Sequence, residues 1–100
     1  MAQILIERTH PLGLEQARRI AAQWVREAEE KFELRCSYQS GEESDAVSFS
    51  RSGLSGTLEV SGQHFRMQAQ LGFLLSAFKE RIEAEIQKNL DALIADQAPG

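Results

Sequence analysis

Residues 64–97 of the chain read HFRMQAQLGFLLSAFKERIEAEIQKNLDALIADQ, and the spacing of their apolar side chains changes once, near Gly72. Over residues 65–71 apolar and polar side chains alternate, which is typical of a strand buried on one face. Beyond Gly72 the apolar side chains recur every three or four residues, the spacing of one helix face; they are Leu74, Phe78, Ile82, Ile86, Leu90 and Leu93. The stretch therefore predicts a strand, then a long amphipathic helix that covers one side of a sheet.

A second helix is predicted nearer the start of the chain. A short first strand is expected to end near Arg8, because Pro11 follows and removes a backbone donor. From Leu14 to Ala28 the apolar residues form one stripe along about four turns, at ~3.6 residues per turn. Phe32 lies just beyond the stripe. This helix is expected to pack on the sheet through that stripe.

Three further strands are predicted between the two helices, around Cys36, Phe49 and Leu58, where side chains again alternate. The linkers are short and rich in Gly, Ser, Asp and Glu, which suits antiparallel hairpins. The order β-α-β-β-β-β-α predicts one α+β domain over residues 1–97, with a frayed end at 98–100. We expect a five-stranded antiparallel sheet with two helices on one face and the first strand beside the fifth, a layout that resembles a shortened helix-grip domain.

Three blocks of the chain carry a family resemblance. They are THPLGLEQARR at 9–19, RSGLSGTLEV at 51–60 and LGFLLSAFKERIEAEI at 71–86. In this order they resemble the polyhydroxyalkanoic acid system proteins, small bacterial proteins named for their association with polyhydroxyalkanoate storage. The resemblance spans roughly residues 4–93. It implies a biological setting and brings no reaction, cofactor or catalytic residue to any position of this chain.

Composition excludes several classes of function. The net charge is −4, with 15 acidic and 11 basic residues interspersed, whereas nucleic-acid binding needs clustered Lys and Arg. The single cysteine, Cys36, has no partner for an internal disulfide, which suits a reducing compartment. The start of the chain lacks the pattern of a secretory signal, and no apolar run approaches the ~20 residues that span a bilayer. We therefore expect a cytoplasmic protein without a membrane span.

Residues with catalytic or metal-binding chemistry are few and widely spaced. The groups of a Cys-His nucleophile are present in Cys36, His10 and His64. Cys36, however, falls on the predicted inward face of the sheet, where it acts as a small apolar side chain. These residues match no zinc spacing. The acidic cluster of Glu42, Glu43 and Asp45 lacks the pattern of a calcium loop and is interpreted as a solvated turn. We predict no catalytic residues, no metal and no cofactor.

Two surfaces are candidates for interaction. The outward face of the sheet is polar but lightly charged, and includes Arg66, Gln68 and Gln70. Such a face is ordinarily solvated, and the alternative is contact with a second copy in a homodimer. The other candidate is Phe73 and Leu75, because a helix cannot bury Phe73, Leu74 and Leu75 against one sheet. Core packing is the favoured interpretation there, and contact with a partner or an apolar granule surface is the alternative.

The resemblance and the lack of a catalytic constellation together favour a non-enzymatic accessory protein, either granule-associated or a protein-interaction adaptor. The alternative is a small domain that binds an acyl or hydroxyacyl ligand between the last helix and the sheet. Six aromatic residues are expected to fill that space: Trp24, Phe32, Tyr38, Phe49, Phe65 and Phe78. Little room should then remain for a pocket of ~300 Å³ or more.

Overall fold

The computed structural model describes residues 2–97 and contains five strands and three helices within them. The elements are β1 (Ala2–Thr9), α1 (Leu14–Lys31), β2 (Arg35–Gln39), β3 (Ser44–Arg51), β4 (Leu54–Ser61), β5 (His64–Leu71), α2 (Phe73–Ser76) and α3 (Lys79–Gln97). The predicted order β-α-β-β-β-β-α is confirmed, with the last helix divided in two. The predicted frayed end at 98–100 lies outside the described residues.

The strands form one antiparallel sheet in the order β1-β5-β4-β3-β2. β1 lies beside β5, as expected from the sequence. The registers align residues in rows that cross all five strands, and one such row is Gln3, Gln70, Ser55, Ser50 and Arg35. Because side chains alternate along each strand, every row belongs wholly to one face. The polar row just named belongs to the outward face.

The core lies between the other face of the sheet and the helices. The sheet contributes alternate apolar residues, which are Ile4, Ile6, Val47, Phe49, Leu58, Val60, Phe65, Met67, Ala69 and Leu71. α1 covers them with its predicted stripe, in which Ala17, Ile20, Ala21, Trp24 and Ala28 are buried. Trp24 meets Phe49 edge to face, with ring centroids 5.3 Å apart. A Cβ on Gly56 would lie 2.6 Å from Cζ of Phe49, so the absence of a side chain there gives this ring its room.

α3 is docked at only one of its ends. Leu90 and Leu93 in its second half are buried, whereas Ile82 and Ile86 in its first half are half-buried. Two polar contacts hold the second half: Asp91 accepts a hydrogen bond from Arg8 Nε at 2.8 Å, and Asn89 donates to Glu27 of α1 at 3.2 Å. The helix therefore covers the sheet closely at one end and loosely at the other.

The prediction of one continuous helix from Leu74 is wrong at its beginning. α2 is a single turn that ends at Ser76, and Phe78 N–H donates back to Leu75 O at 2.9 Å before α3 starts. The break shifts the buried face, so Leu75 packs against the core while Leu74 and Phe78 are exposed. α2 is itself held against the β3–β4 turn, where Gly53 has a φ of +83° and accepts a hydrogen bond from Gly72 N–H at 2.8 Å.

Candidate functional site

The two ends of the sheet differ in what the loops carry. We call the end with the loops at 10–13, 40–43 and 62–63 the hairpin end. The opposite end, with the β3–β4 turn at 52–53, the loop at 32–34 and α2, is called the cavity end. α1 begins at the hairpin end and finishes at the cavity end, and α3 runs in the reverse direction.

The cavity end contains an apolar cavity of about 360 Å³ between α3 and the sheet. Its lining comes from every element except β1 and β2, and the residues that line it are Trp24, Phe32, Leu34, Phe49, Arg51, Leu54, Ala69, Leu75, Phe78, Arg81, Ile82, Glu85, Ile86 and Asn89. Trp24, Leu34, Phe49 and Ala69 are buried and form the floor. The size falls within the ~300–1,000 Å³ range of ligand pockets in proteins.

The expectation that aromatic side chains fill this space is therefore wrong. Trp24, Phe49 and Phe65 are buried, but Phe32, Tyr38 and Phe78 are partly exposed. The physical reason is the docking of α3: its second half is buried through Leu90 and Leu93, while its first half packs less closely, with Ile82 and Ile86 only half-buried. The wedge that remains is the cavity. Sequence periodicity does not encode the tilt of a helix, so this space had no signal in the apolar pattern.

Charged side chains stand at the mouth of the cavity. Arg51, Arg81 and Glu85 are all exposed lining residues. Arg51 Nη1 donates to the backbone oxygen of Phe32 at 2.9 Å, which holds the guanidinium beside the end of α1. Neither arginine forms an ion pair with a carboxylate in residues 2–97. The mouth thus carries two guanidinium groups against one carboxylate.

Phe73 and Leu74 form an exposed apolar tip beside the cavity. Phe73 is 87% exposed and Leu74 is 79% exposed, whereas Leu75 is half-buried and packs against the core. The core-packing interpretation of this segment thus holds for Leu75 and is wrong for Phe73 and Leu74. The break after α2 explains the difference, because a one-turn helix presents only one of three consecutive side chains to the core.

Arg66, Gln68 and Gln70 lie where the sequence placed them, on the outward face of β5. The face contains an open depression of about 590 Å³, whose lining is mostly serine, threonine and glutamine side chains and also includes Arg35, Cys36, Phe49 and Gly56. Arg66 lies outside that lining and pairs with Glu7 of β1, with Nε 3.4 Å from Oε1. Leu5 is the large apolar residue of this face and is 49% exposed. These residues form a surface separate from the cavity, which lies on the other side of the sheet.

The interpretation of the acidic cluster as a solvated turn is wrong for Asp45, which lies at the hairpin end. Glu42 and Glu43 are exposed, but Asp45 is buried on the inward face of β3. Its carboxylate accepts hydrogen bonds from Arg18 Nε at 2.9 Å, from Gly41 N–H at 3.0 Å and from the Tyr38 hydroxyl. Burial alone would raise the pKa of Asp45, but these donors outweigh it and lower the pKa. The network ties α1 to the β2–β3 hairpin.

His10 is buried and held in one tautomer. Its Nδ1 accepts a hydrogen bond from Leu12 N–H at 3.2 Å, so the proton is on Nε2, which donates to Ser61 O at 3.1 Å. The ring lies 4.7 Å from that of Phe65. Burial, together with the charge of nearby His64, lowers the pKa of His10, although the bond to Ser61 opposes this. Both nitrogens are used in structural hydrogen bonds.

A second grouping at the hairpin end has the residue types of a nucleophilic triad. Ser61 Oγ lies 2.9 Å from His64 Nδ1, and His64 Nε2 lies 3.2 Å from Glu59 Oε1. Ser61 Oγ also accepts hydrogen bonds from the backbone N–H groups of Gln63 and His64, which is the arrangement of a serine that closes a turn. No local pattern in the sequence indicates this contact. The geometry favours a structural role in the β4–β5 turn.

Cys36 does not join these histidines. It lies on edge strand β2, and two strands separate it from β5, which corresponds to about 14 Å at ~4.8 Å per strand. Burial first, and the charge of Glu29 second, raise the pKa of the Cys36 thiol, which disfavours the reactive thiolate. Within residues 2–97, no three His, Cys, Asp or Glu side chains are grouped so that they would hold a metal ion.

Fold and site together define a small α+β domain whose last helix leaves an apolar cavity and an apolar tip at one end of the sheet. In the described part of the chain, no helix combines the length and apolar character needed to cross a bilayer. A family model described as "Putative polyhydroxyalkanoic acid system protein" matches residues 4–94. The chain belongs to this family, which confirms the resemblance of the three sequence blocks. Searches of curated proteins and of solved structures found no match.

Proposed function

We propose that this protein is a non-enzymatic accessory protein of polyhydroxyalkanoate storage that binds the granule surface through Phe73 and Leu74. The observation that carries the proposal is the near-complete exposure of two adjacent large apolar side chains. Family membership supports the setting, since it connects the chain with the polyhydroxyalkanoic acid system. The proposed location is the cytoplasm, at storage granules when polymer is present.

Burial of the apolar tip against a granule surface would contribute substantially to the free energy of binding. Complete burial of a Phe or Leu side chain is worth about 1.5–3 kcal/mol each. Transfer of both side chains from water to the surface of a water-insoluble polyester would thus contribute roughly 3–5 kcal/mol, or about a hundredfold or more in affinity. α2 is anchored through Leu75 and through the hydrogen bond between Gly72 and Gly53, so the tip is presented without unfolding.

The test is the distribution of the full chain between purified granules and soluble fraction, in cells with and without stored polymer. The wild type is expected on granules, and the double variant F73S/L74S is expected in the soluble fraction. Co-sedimentation of purified protein with polymer granules measures the same contact without other cell components. A wild type that stays soluble beside granules in both assays would exclude direct surface binding.

The matched control is Leu5→Ser, which removes a half-exposed apolar side chain from the outward face of the sheet. It changes hydrophobicity much as L74S does but lies away from the apolar tip, so granule binding should persist. Equal loss of binding in L5S would show that general surface hydrophobicity, rather than the tip, drives the association. The predicted homodimer contact through the outward face, with Arg66, Gln68 and Gln70, stays a prediction.

A further inference from the structure

We infer that the cavity between α3 and the sheet binds an amphiphile with an apolar chain of medium length and an anionic head, which Arg51 and Arg81 hold at the mouth. This inference goes beyond granule association, because the ligand enters the molecule whereas the polymer contacts its surface. It does not depend on the surface proposal.

The floor of the cavity suits an apolar chain. Trp24, Phe49 and Ala69 form buried, largely apolar walls, and Ile82 and Ile86 of α3 cover them. The one amide in the lining, Asn89, is engaged with Glu27 through its Nδ2 at 3.2 Å. Apolar pockets with a few polar groups at one side are the usual form of sites for small ligands.

The size of the cavity sets the length of that chain. A dry apolar cavity of about 150 Å³ holds one benzene molecule. The present cavity of about 360 Å³ has room for somewhat more than two such volumes. This corresponds to an apolar chain of at most about twelve to fourteen carbon atoms, since benzene has six carbons. Longer chains would have to extend past Phe78 into solvent.

The charge at the mouth selects the head group. Arg51 uses one N–H donor for Phe32 O, and a guanidinium has five, so donors remain for a ligand. Arg81 stands one helical turn before Glu85 on α3 without pairing with it at ion-pair distance. Two guanidinium groups against one carboxylate favour an anion, and guanidinium binds carboxylate and phosphate in bidentate fashion. A carboxylate and a phosphate are therefore two versions of one ligand chemistry.

Binding is measured directly by the fluorescence of Trp24, because it is the one tryptophan of the chain and lies in the cavity floor. The full-length protein is titrated with decanoate, decyl phosphate, 1-decanol and decyltrimethylammonium, each below its micelle concentration. We expect saturable changes with both anions and at least tenfold weaker binding of decanol and of the cation. The ratio between decanoate and decyl phosphate distinguishes a carboxylate from a phosphate as the natural head.

Variants at the mouth separate charge recognition from apolar burial. Arg51→Gln and Arg81→Gln should each weaken decanoate binding about tenfold and leave decanol binding unchanged. The matched control is Arg26→Gln, which removes an exposed arginine of α1 that is not part of the cavity lining. All three positions are exposed, so the variants should fold. Equal weakening by Arg26→Gln would reduce the effect to net charge and overturn the assignment of Arg51 and Arg81.

A variant that fills the cavity provides a second test of ligand binding. Leu54→Phe with Ile82→Phe adds side-chain volume at two half-buried lining residues. This variant should keep a cooperative thermal transition and lose decanoate binding by more than tenfold. Unchanged binding in a folded filling variant, or the absence of any saturable Trp24 signal with the wild type, would overturn the inference. The variant F73S/L74S should still bind decanoate, because neither residue lines the cavity. Failure of granule binding can therefore be distinguished from failure of ligand binding in the cavity.

Discussion

The hairpin end and the cavity end of this molecule differ in how their polar and apolar side chains are buried and paired. At the hairpin end the buried polar groups, Asp45 and His10, have hydrogen-bond partners, and α3 is closed over the sheet by Leu90 and Leu93. At the cavity end apolar side chains reach solvent and two arginines have no carboxylate partner in residues 2–97. One end thus closes the fold, while the other leaves apolar and charged side chains open to solvent.

The two halves of α3 give the largest expected contrast. Leu90→Ala removes a side chain that is only 1% exposed and should lower the free energy of unfolding by about 3 kcal/mol. Phe78→Ala, at a position 54% exposed beside the cavity, should cost less than about 1 kcal/mol. Urea denaturation of the two variants and the wild type measures both values. Equal losses would mean that α3 is docked along its whole length.

Asp45→Ala tests the polar network of the hairpin end. The change leaves the Tyr38 hydroxyl and Gly41 N–H without their acceptor, and we expect a loss of about 2–3 kcal/mol at neutral pH. Because its pKa is lowered on folding, the contribution of Asp45 is present above its unfolded pKa and is lost as the pH falls through its folded pKa.

Urea denaturation of the wild type and D45A at neutral and acidic pH checks this sign. The stability difference between the two proteins should be largest at neutral pH and should shrink below about pH 4, the range in which an unfolded Asp takes up its proton. A difference that stays constant down to pH 2.5 would contradict the assignment of the carboxylate as the charged acceptor. Glu43→Ala, at an exposed residue of the same cluster, is the control and should be nearly neutral.

His10 gives a smaller, pH-dependent effect at the same end. Its pKa is lowered on folding, so the unfolded chain binds a proton first as the pH falls, and the folded state loses stability below about pH 6.5. The slope from one group cannot exceed about 1.4 kcal/mol per pH unit. Stability of the wild type should therefore decrease between pH 7 and pH 5.5, and His10→Asn should flatten that decrease. Identical slopes in the two proteins would show that His10 is not responsible.

The smallest predicted effect lies at the cavity end, where α1 stops. Glu33 has a φ of 56°, a left-handed conformation that costs an L residue free energy but suits glycine. Glu33→Gly should raise the free energy of unfolding by about 0.5 kcal/mol, the relief of strain less the added entropy of the unfolded chain. Thermal melting detects this as a small upward shift, and Glu30→Gly inside α1 should shift the transition downwards.

Most of the fold was predictable from alternation and helical spacing. The position of β1 beside β5 follows from the simplest packing, in which the first strand joins the end of a four-stranded meander. The buried stripe of α1 and the outward position of Arg66, Gln68 and Gln70 follow from periodicity in the chain. These features are predictable because they depend on which face of an element a residue occupies. The three blocks that carry the resemblance likewise identified the family.

The cavity and the apolar tip were not predictable in the same way. Both depend on where a helix breaks and how it tilts, and the run from Leu74 to Leu93 fits one straight helix as well as it fits two. Asp45 was missed for a related reason, because its cluster with Glu42 and Glu43 has the composition of a solvated turn. Only the start of β3 at Ser44 places the Asp45 side chain on the inward face. Contacts across the fold, such as the one from Arg18, leave no local pattern.

The pairing of β1 with β5 has a consequence for synthesis on the ribosome. β1 is the first strand to be made, and its partner is the last, with 54 residues between Thr9 and His64. Until β5 emerges, Ile4 and Ile6 have neither a neighbouring strand nor a finished core. Closing so long a loop makes the sheet slow to complete and leaves the nascent β1 open to wrong pairing. β1 therefore has its complete partner strand only once the chain has been made as far as Leu71.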